Sequence, residues 1–332
     1  MTANFRRGDL VEVRSPAEVL ATLDETAALD GLPFMPEMVP LCGRRFRVER
    51  RAERVCDTVH YSGTRRLADA VFLEQERCDG AGHGGCQAEC RSLWKEAWLR
   101  AADAATPAAG PFSADETAAL VARATAGTRT PREGEQRWRC QATELPGCTE
   151  HVKLWDPRGY LRELTSGNVG MAHFARVMSR AVIQEPMRKM GLVDEVHVRG
   201  TASKGDAFPA LDLQPGERVR VKSREEIAKT LNAEGRNKGL WFDQEMLPFC
   251  GREFRVRQRV RLFINDHDGK MVELKNEAIT LEGVVCSGER SLRRWFCSRE
   301  LYPYWRECWL ERVDPVVRVA EPGPARAAGD GR

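Results

Sequence analysis

The chain has 332 residues, 42% hydrophobic and 30% charged, with a net charge of +3. That balance is typical of globular domains and too close to neutral to attract a polyanion by bulk charge. No apolar run approaches the roughly 20 residues of a membrane helix, and the opening MTANFRRGDLVEV lacks a signal-peptide core, so a cytoplasmic protein is expected.

One module is written twice. Residues 8–78 align without a gap onto residues 216–286, at a constant offset of 208. GDLVEVRSPAEVLATL answers GERVRVKSREEIAKTL, and GLPFMPEMVPLCGRRFRV answers GLWFDQEMLPFCGREFRV. After a three-residue insertion in the second copy, WKEAWL (94–99) meets WRECWL (305–310). Such duplication marks an independently folding unit.

Each copy opens on a Gly-acid turn and a short strand, with Val11 and Val13 or Val219 and Val221 on one face. A helix follows, because Ser15 with Glu18, and Ser223 with Glu226, have capping-box spacing. CGRRFRV then reads as a strand with Phe46 and Val48 on one side. A further strand covers about 69–77, and Trp94 and Trp98, or Trp305 and Trp309, close the module as core residues.

The middle of the chain differs in character. TPAAGPFS is a linker, and Ser113 caps a helix through about Ala126. EQRWRCQATEL reads as a strand and WDPRGYLREL as a turn entering a helix. Asn168 begins another helix through about Gln184, with Met171, Phe174, Ala175, Met178 and Val182 on its apolar face, ended or kinked by Pro186. The expected fold class is mainly β with an α/β connector: tandem duplicated small barrels flanking a mixed α/β middle segment. The expected boundaries are 1–103, 104–212 and 213–319, with a disordered Gly/Pro/Ala-rich tail over 320–332.

The opening GDLVEVRS, paired with a closing strand after the second Trp, resembles SH3-like barrels, including the KOW type. CDGAGHGGCQAECRSLWKEAWL (78–99), together with GLPFMPEM upstream, is similar to a family of bacterial hypothetical proteins, a resemblance that implies no particular activity.

Eleven cysteines in a cytosolic chain favour metal ligation over a disulfide framework. Cys56, Cys78, Cys86 and Cys90, with His83, form the densest group. Their local pattern is C-x4-H-x2-C-x3-C, and Gly80, Gly82, Gly84 and Gly85 let the loop wrap tightly. Four thiolates suit structural zinc or an iron–sulfur cluster, and His83 in place of one thiolate gives a Cys3His zinc site. Reduced cysteines in a packed loop are the bland alternative. The second copy keeps Cys286 and Cys297 opposite Cys78 and Cys86 but has Ile264 and Leu301 opposite Cys56 and Cys90, so subtraction places the metal in the first copy.

Other features carry less. Cys140-x7-Cys148-x2-His151 is either coincidence or a contribution to the same site. Cys42 and Cys250 read as small buried residues in matching turns, and NDHDGK around Asp266, His267 and Asp268 reads as a hairpin turn. The arginine-rich stretches 44–54 and 255–262 are interleaved with Glu49, Glu53 and Glu253, which favours cross-strand ion pairs over a nucleic-acid surface. The expected function is a cysteine-ligated zinc or iron–sulfur binding protein with an accessory role. It would hold a protein or small molecule in the groove between modules, with no membrane partner. The alternatives are an iron-dependent metalloenzyme in a biosynthetic pathway and a nucleic-acid-binding tandem barrel.

Overall fold

The computed structural model describes residues 4–313, apart from 104, 106, 133, 191, 193–197, 204 and 292; the tail expected to be disordered lies outside the described residues. Among them, short antiparallel strands dominate and helices are few, and no helix is long and apolar enough to cross a membrane.

Strand Leu10–Val13 pairs antiparallel with Arg45–Arg51 on one side and Leu99–Ala101 on the other. Strand Arg218–Val221 makes the same two pairings with Glu253–Arg259 and Leu310–Arg312. The registers match: Val11 faces Phe46 and Val13 faces Leu99, while Val219 faces Phe254 and Val221 faces Leu310. Both long strands also break register at equivalent places, between Val48 and Arg50 and between Val256 and Gln258. A bulge there bends the strand and turns it toward its next partner, Ala70–Leu73 or Ile279–Leu281. The two sheets hold five and four strands in open orders, and neither closes into a barrel.

Alternation along these strands explains the cores. Val11, Val13 and Val48 are fully buried with Trp94 and Trp98, and Val219, Val221 and Val256 with Trp305 and Trp309. Phe34 meets Trp94 and Trp98 edge-on at 6.0 and 5.0 Å, and Phe242 meets Trp305 and Trp309 at 6.0 and 5.3 Å. The indole N–H of Trp98 donates to Thr22 at 3.0 Å and that of Trp309 to Thr230 at 2.9 Å, so these two buried rings keep a partner for the polar atom. The short helices Pro16–Leu20 and Arg224–Ala228 both start on the expected capping boxes at Ser15 and Ser223.

In the middle segment, helix Ala114–Gly127 starts from Ser113 and helix Pro157–Thr165 from Asp156. The strand expected through residue 145 stops at Trp138. Thr143 accepts the Cys140 backbone N–H at 3.0 Å, and the chain turns into helix Gln141–Cys148. Helix Met171–Lys189 begins later than expected and contains Pro186. Its buried face centres on Val177 and Ala181, while Met171 and Val182 are exposed. The reason is a tertiary partner invisible in the helix itself: Phe174 stacks on Phe296 at 5.4 Å, within a small core that includes Tyr160 and Trp295.

The two copies also reach into each other. Ser298 N–H donates to Arg54 O at 2.9 Å, and at the equivalent place Gln87 N–H donates to Leu262 O at 2.9 Å. Each copy therefore lays its strand after the bulged one against the cysteine loop of the other. Arg54, fully buried, holds this seam by donating to Trp295 O and lying over the Tyr160 ring.

Candidate metal centre

The loop after Cys78 is built around one tight turn. Cys78 N–H donates to Cys90 O at 2.8 Å, and the His83 and Gly85 N–H groups both donate to Gly80 O. Gly80 has φ +71°, and a Cβ there would lie 2.0 Å from Cys86 O, so only glycine fits. At Gly82, a Cβ would lie 2.6 Å from Glu37 Oε2. The missing side chain lets the Glu37 carboxylate reach the inside of the loop.

Glu37 stands in the 3-10 helix Pro36–Leu41. Its Oε1 lies 3.0 Å from Cys78 Sγ and 3.1 Å from His83 Nδ1, and His83 Nε2 lies 3.6 Å from Cys78 Sγ. Among the described residues, Glu37, Cys78 and His83 form the group of three donors whose ligand atoms all lie within 4.8 Å of one another. A tetrahedral ion at the usual zinc bond lengths of about 2.0–2.3 Å sets its donors about 3.3–3.8 Å apart, so the Glu37 oxygen would draw back by a few tenths of an ångström and His83 would offer one of its two nitrogens. The side chains of His83 and Glu37 are 3% and 4% exposed. Yet His83 Nδ1 and Glu37 Oε2 make no hydrogen bond, the short Nδ1–Oε1 approach being poorly aligned. Buried polar atoms without partners are costly, and a cation between them would satisfy both.

The electrostatics follow from this crowding. Burial alone would depress the His83 pKa, but contacts with Cys86 and Glu37 outweigh it and hold it near 9. Burial would raise Glu37, and the imidazole beside it keeps it below the usual carboxylate value. Burial, reinforced by the Glu37 charge, pushes the Cys78 thiol far up. These directions favour an imidazolium beside a carboxylate and a protonated thiol, so a cation binding here would displace protons.

The second copy shows what the same carboxylate does without such a site. Glu245 stands opposite Glu37, and its two oxygens accept from Ser287 N, Ser287 Oγ, Arg290 N and Ser291 N at 2.7–2.9 Å. There the acid caps the loop backbone. In the first copy the shorter, glycine-rich loop offers Cys78 and His83 in place of those amides.

The expected thiols distribute unevenly. Cys78, His83, Cys86, Cys90 and Cys140 line one cavity of about 40 Å³, room for an ion or a water but not an organic cofactor. Cys90 is half-buried, and desolvation raises its thiol to about 12. Cys56 does not join them. It lines a separate cavity with Cys286 and Cys297, and its N–H donates to Cys297 Sγ at 3.1 Å. The reason is the crossing of strands at the seam: Ile264, opposite Cys56 in the alignment, is the residue whose N–H reaches Cys86 Sγ, at 3.4 Å. Subtraction between copies therefore assigns Cys56 to the wrong loop. Cys148 packs against Gly31, and His151 sits exposed beside Ser62 O, so neither accompanies Cys140. Glu37 escaped the sequence reading because it is 41 residues from Cys78. The signal was an acid at the same place in both copies, in GLPFMPEM and GLWFDQEM.

Several arginines of these stretches, and Glu49 between them, are paired within the chain. Arg45 meets Glu12, Arg51 meets Glu96, Arg91 meets Glu49 and Glu300, Arg257 meets Glu89, and Arg259 meets Glu307. Compared with family models, curated proteins and solved structures, the chain matches none of them.

Proposed function

We propose that the chain is a metal-binding accessory protein, built from two duplicated SH3-like modules, whose first module holds one divalent ion on Glu37, Cys78 and His83. Cys86, in contact with His83, is the natural fourth ligand. The observation that carries this reading is the convergence of a carboxylate, a thiol and an imidazole, with Glu37 Oε2 buried and without a partner beside them. A mixed S, N and O donor set with one soft ligand fits zinc. The ion would pin the 78–90 loop against Glu37 and so fix the seam between copies. There a groove of about 260 Å³, lined by Thr58, Tyr61, Cys90, Phe263 and Tyr304 among others, would take a protein or small-molecule partner.

A second reading has its own support. Cys78, Cys86, Cys90 and Cys140 supply four thiols to one cavity, the number an iron–sulfur cluster needs. Metal analysis with an absorption spectrum, on full-length protein purified without oxygen, separates the two. The zinc reading expects one colourless ion per chain, lost in Cys78→Ser and His83→Ala and retained in Cys56→Ser. A brown protein with iron and sulfide, sensitive to Cys90→Ser and Cys140→Ser, replaces it with the cluster. Protein without bound metal after reconstitution overturns both.

A further inference from the structure

The second cavity holds three thiols that the metal reading does not use. Cys56 comes from the first copy, and Cys286 and Cys297 from the loop of the second. All three are free, and the cavity beside them measures about 160 Å³. Cys56 and Cys297 are in contact: the Cys56 N–H donates to Cys297 Sγ at 3.1 Å, and the two thiols interact side chain to side chain.

Their surroundings differ from those of the first loop. No histidine lines this cavity, Glu245 has both oxygens engaged by the loop, and the other lining carboxylate, Asp243, accepts from Glu245 N–H and Ser291 Oγ. Instead two guanidinium groups face the thiols. Arg299 donates to Cys56 O at 3.1 Å and to Thr58 Oγ1 at 2.8 Å, and Arg294 lines the cavity. Fixed cations repel a metal ion and favour a thiolate. The hydrogen bond to Cys297 and then the charges of Arg299 and Arg294 lower the Cys56 pKa to about 6 against the opposing effect of burial. Cys297 is raised, first by its contact with Cys56 and then by burial. One sulfur is suited to attack and its neighbour remains protonated.

We propose that Cys56 and Cys297 form a peroxide-reactive thiol pair that closes into a disulfide joining the two modules. The Cys56 thiolate attacks one oxygen of hydrogen peroxide. The S–O bond forms, the O–O bond breaks, and the departing hydroxide takes up a proton to become water. The Cys297 sulfur then attacks the Cys56 sulfenic acid. The S–S bond forms, the S–O bond breaks, and the hydroxyl leaves as water with the Cys297 proton. Two thiols are oxidised and one peroxide is reduced to two waters. The cavity admits so small an oxidant, and the bond would add a covalent link to the seam that Arg54 and Ser298 hold without one.

The test is peptide mapping of the full chain under non-reducing conditions, after titration with hydrogen peroxide and blocking of free thiols with iodoacetamide. The expected result is a Cys56–Cys297 cross-linked peptide at about one equivalent of oxidant, reversed by dithiothreitol. The Cys297→Ser variant should instead carry a sulfenic acid on Cys56, trapped by dimedone, and Cys286→Ser should cross-link as the native chain does. Recovery of Cys56 and Cys297 both alkylated, after enough peroxide to oxidise other cysteines, overturns the proposal on native protein alone. A metal ion that is bound at this cavity and lost in Cys56→Ser overturns it too. The outcome is independent of the first loop, because Cys78→Ser should lose the metal there and still form the cross-link.

Discussion

Glu37 and Glu245 occupy equivalent turns and satisfy their charge in different ways. Glu245 accepts four hydrogen bonds from its loop, whereas Glu37 faces a thiol and an imidazole and leaves Oε2 bare. The difference arises from loop length and from the glycine at position 82, and it is the contrast on which the proposed ligand of the first loop rests. Another acid illustrates how strongly burial acts on single groups in this chain. Glu163 accepts from Asn168 Nδ2 at 2.8 Å, yet burial raises its pKa to about 8. A carboxyl raised in the folded state is protonated there over a range in which the unfolded chain has already lost the proton. Stability contributed by this group is therefore present at low pH and falls as pH rises from the ordinary carboxyl value through about 8. The slope is at most about 1.4 kcal/mol per pH unit. Denaturant titrations across that window should show this decline in the native chain and a flatter profile in Glu163→Gln. Equal slopes in the two would mean that the carboxyl is ionised in the folded protein.

At the scale of elements, the Trp-bearing 3-10 turns Glu96–Trp98 and Glu307–Trp309 close the two sheets. Each places one fully buried indole edge-on to a phenylalanine and bonded to a helix-end threonine. Truncating Trp98 or Trp309 to Ala should cost about 3–5 kcal/mol each, read as a lower denaturation midpoint. An unchanged midpoint would show that the ring contributes little to the core. The strands, capping boxes and tryptophans of both copies were legible because they depend on neighbours close in sequence. The face of helix Met171–Lys189 was not, since Phe296 lies more than a hundred residues away and decides which side is buried. Most of the proposed metal site was visible for the same local reason: Cys78, His83, Cys86 and Cys90 share one loop. Glu37 and the true neighbours of Cys56 come from other elements, and spacing along the chain carries no record of them.

For the whole molecule, the seam between copies connects the two cysteine cavities. Arg299 is placed between them: it lines the first cavity while donating to Cys56 O, and Arg77 bridges Glu89 O and Glu300 O across the same boundary. A metal-pinned loop on one side and an oxidisable thiol pair on the other would both govern how firmly the copies hold each other. The central claim is the ligand set in the first loop. X-ray absorption at the metal edge, on full-length protein loaded with one equivalent of zinc, reads that set directly. The account predicts a mixed shell with sulfur at about 2.3 Å and nitrogen or oxygen at about 2.0–2.1 Å, losing part of its light-atom shell in Glu37→Gln. A shell of sulfur alone, or one unchanged in Glu37→Gln, would contradict it.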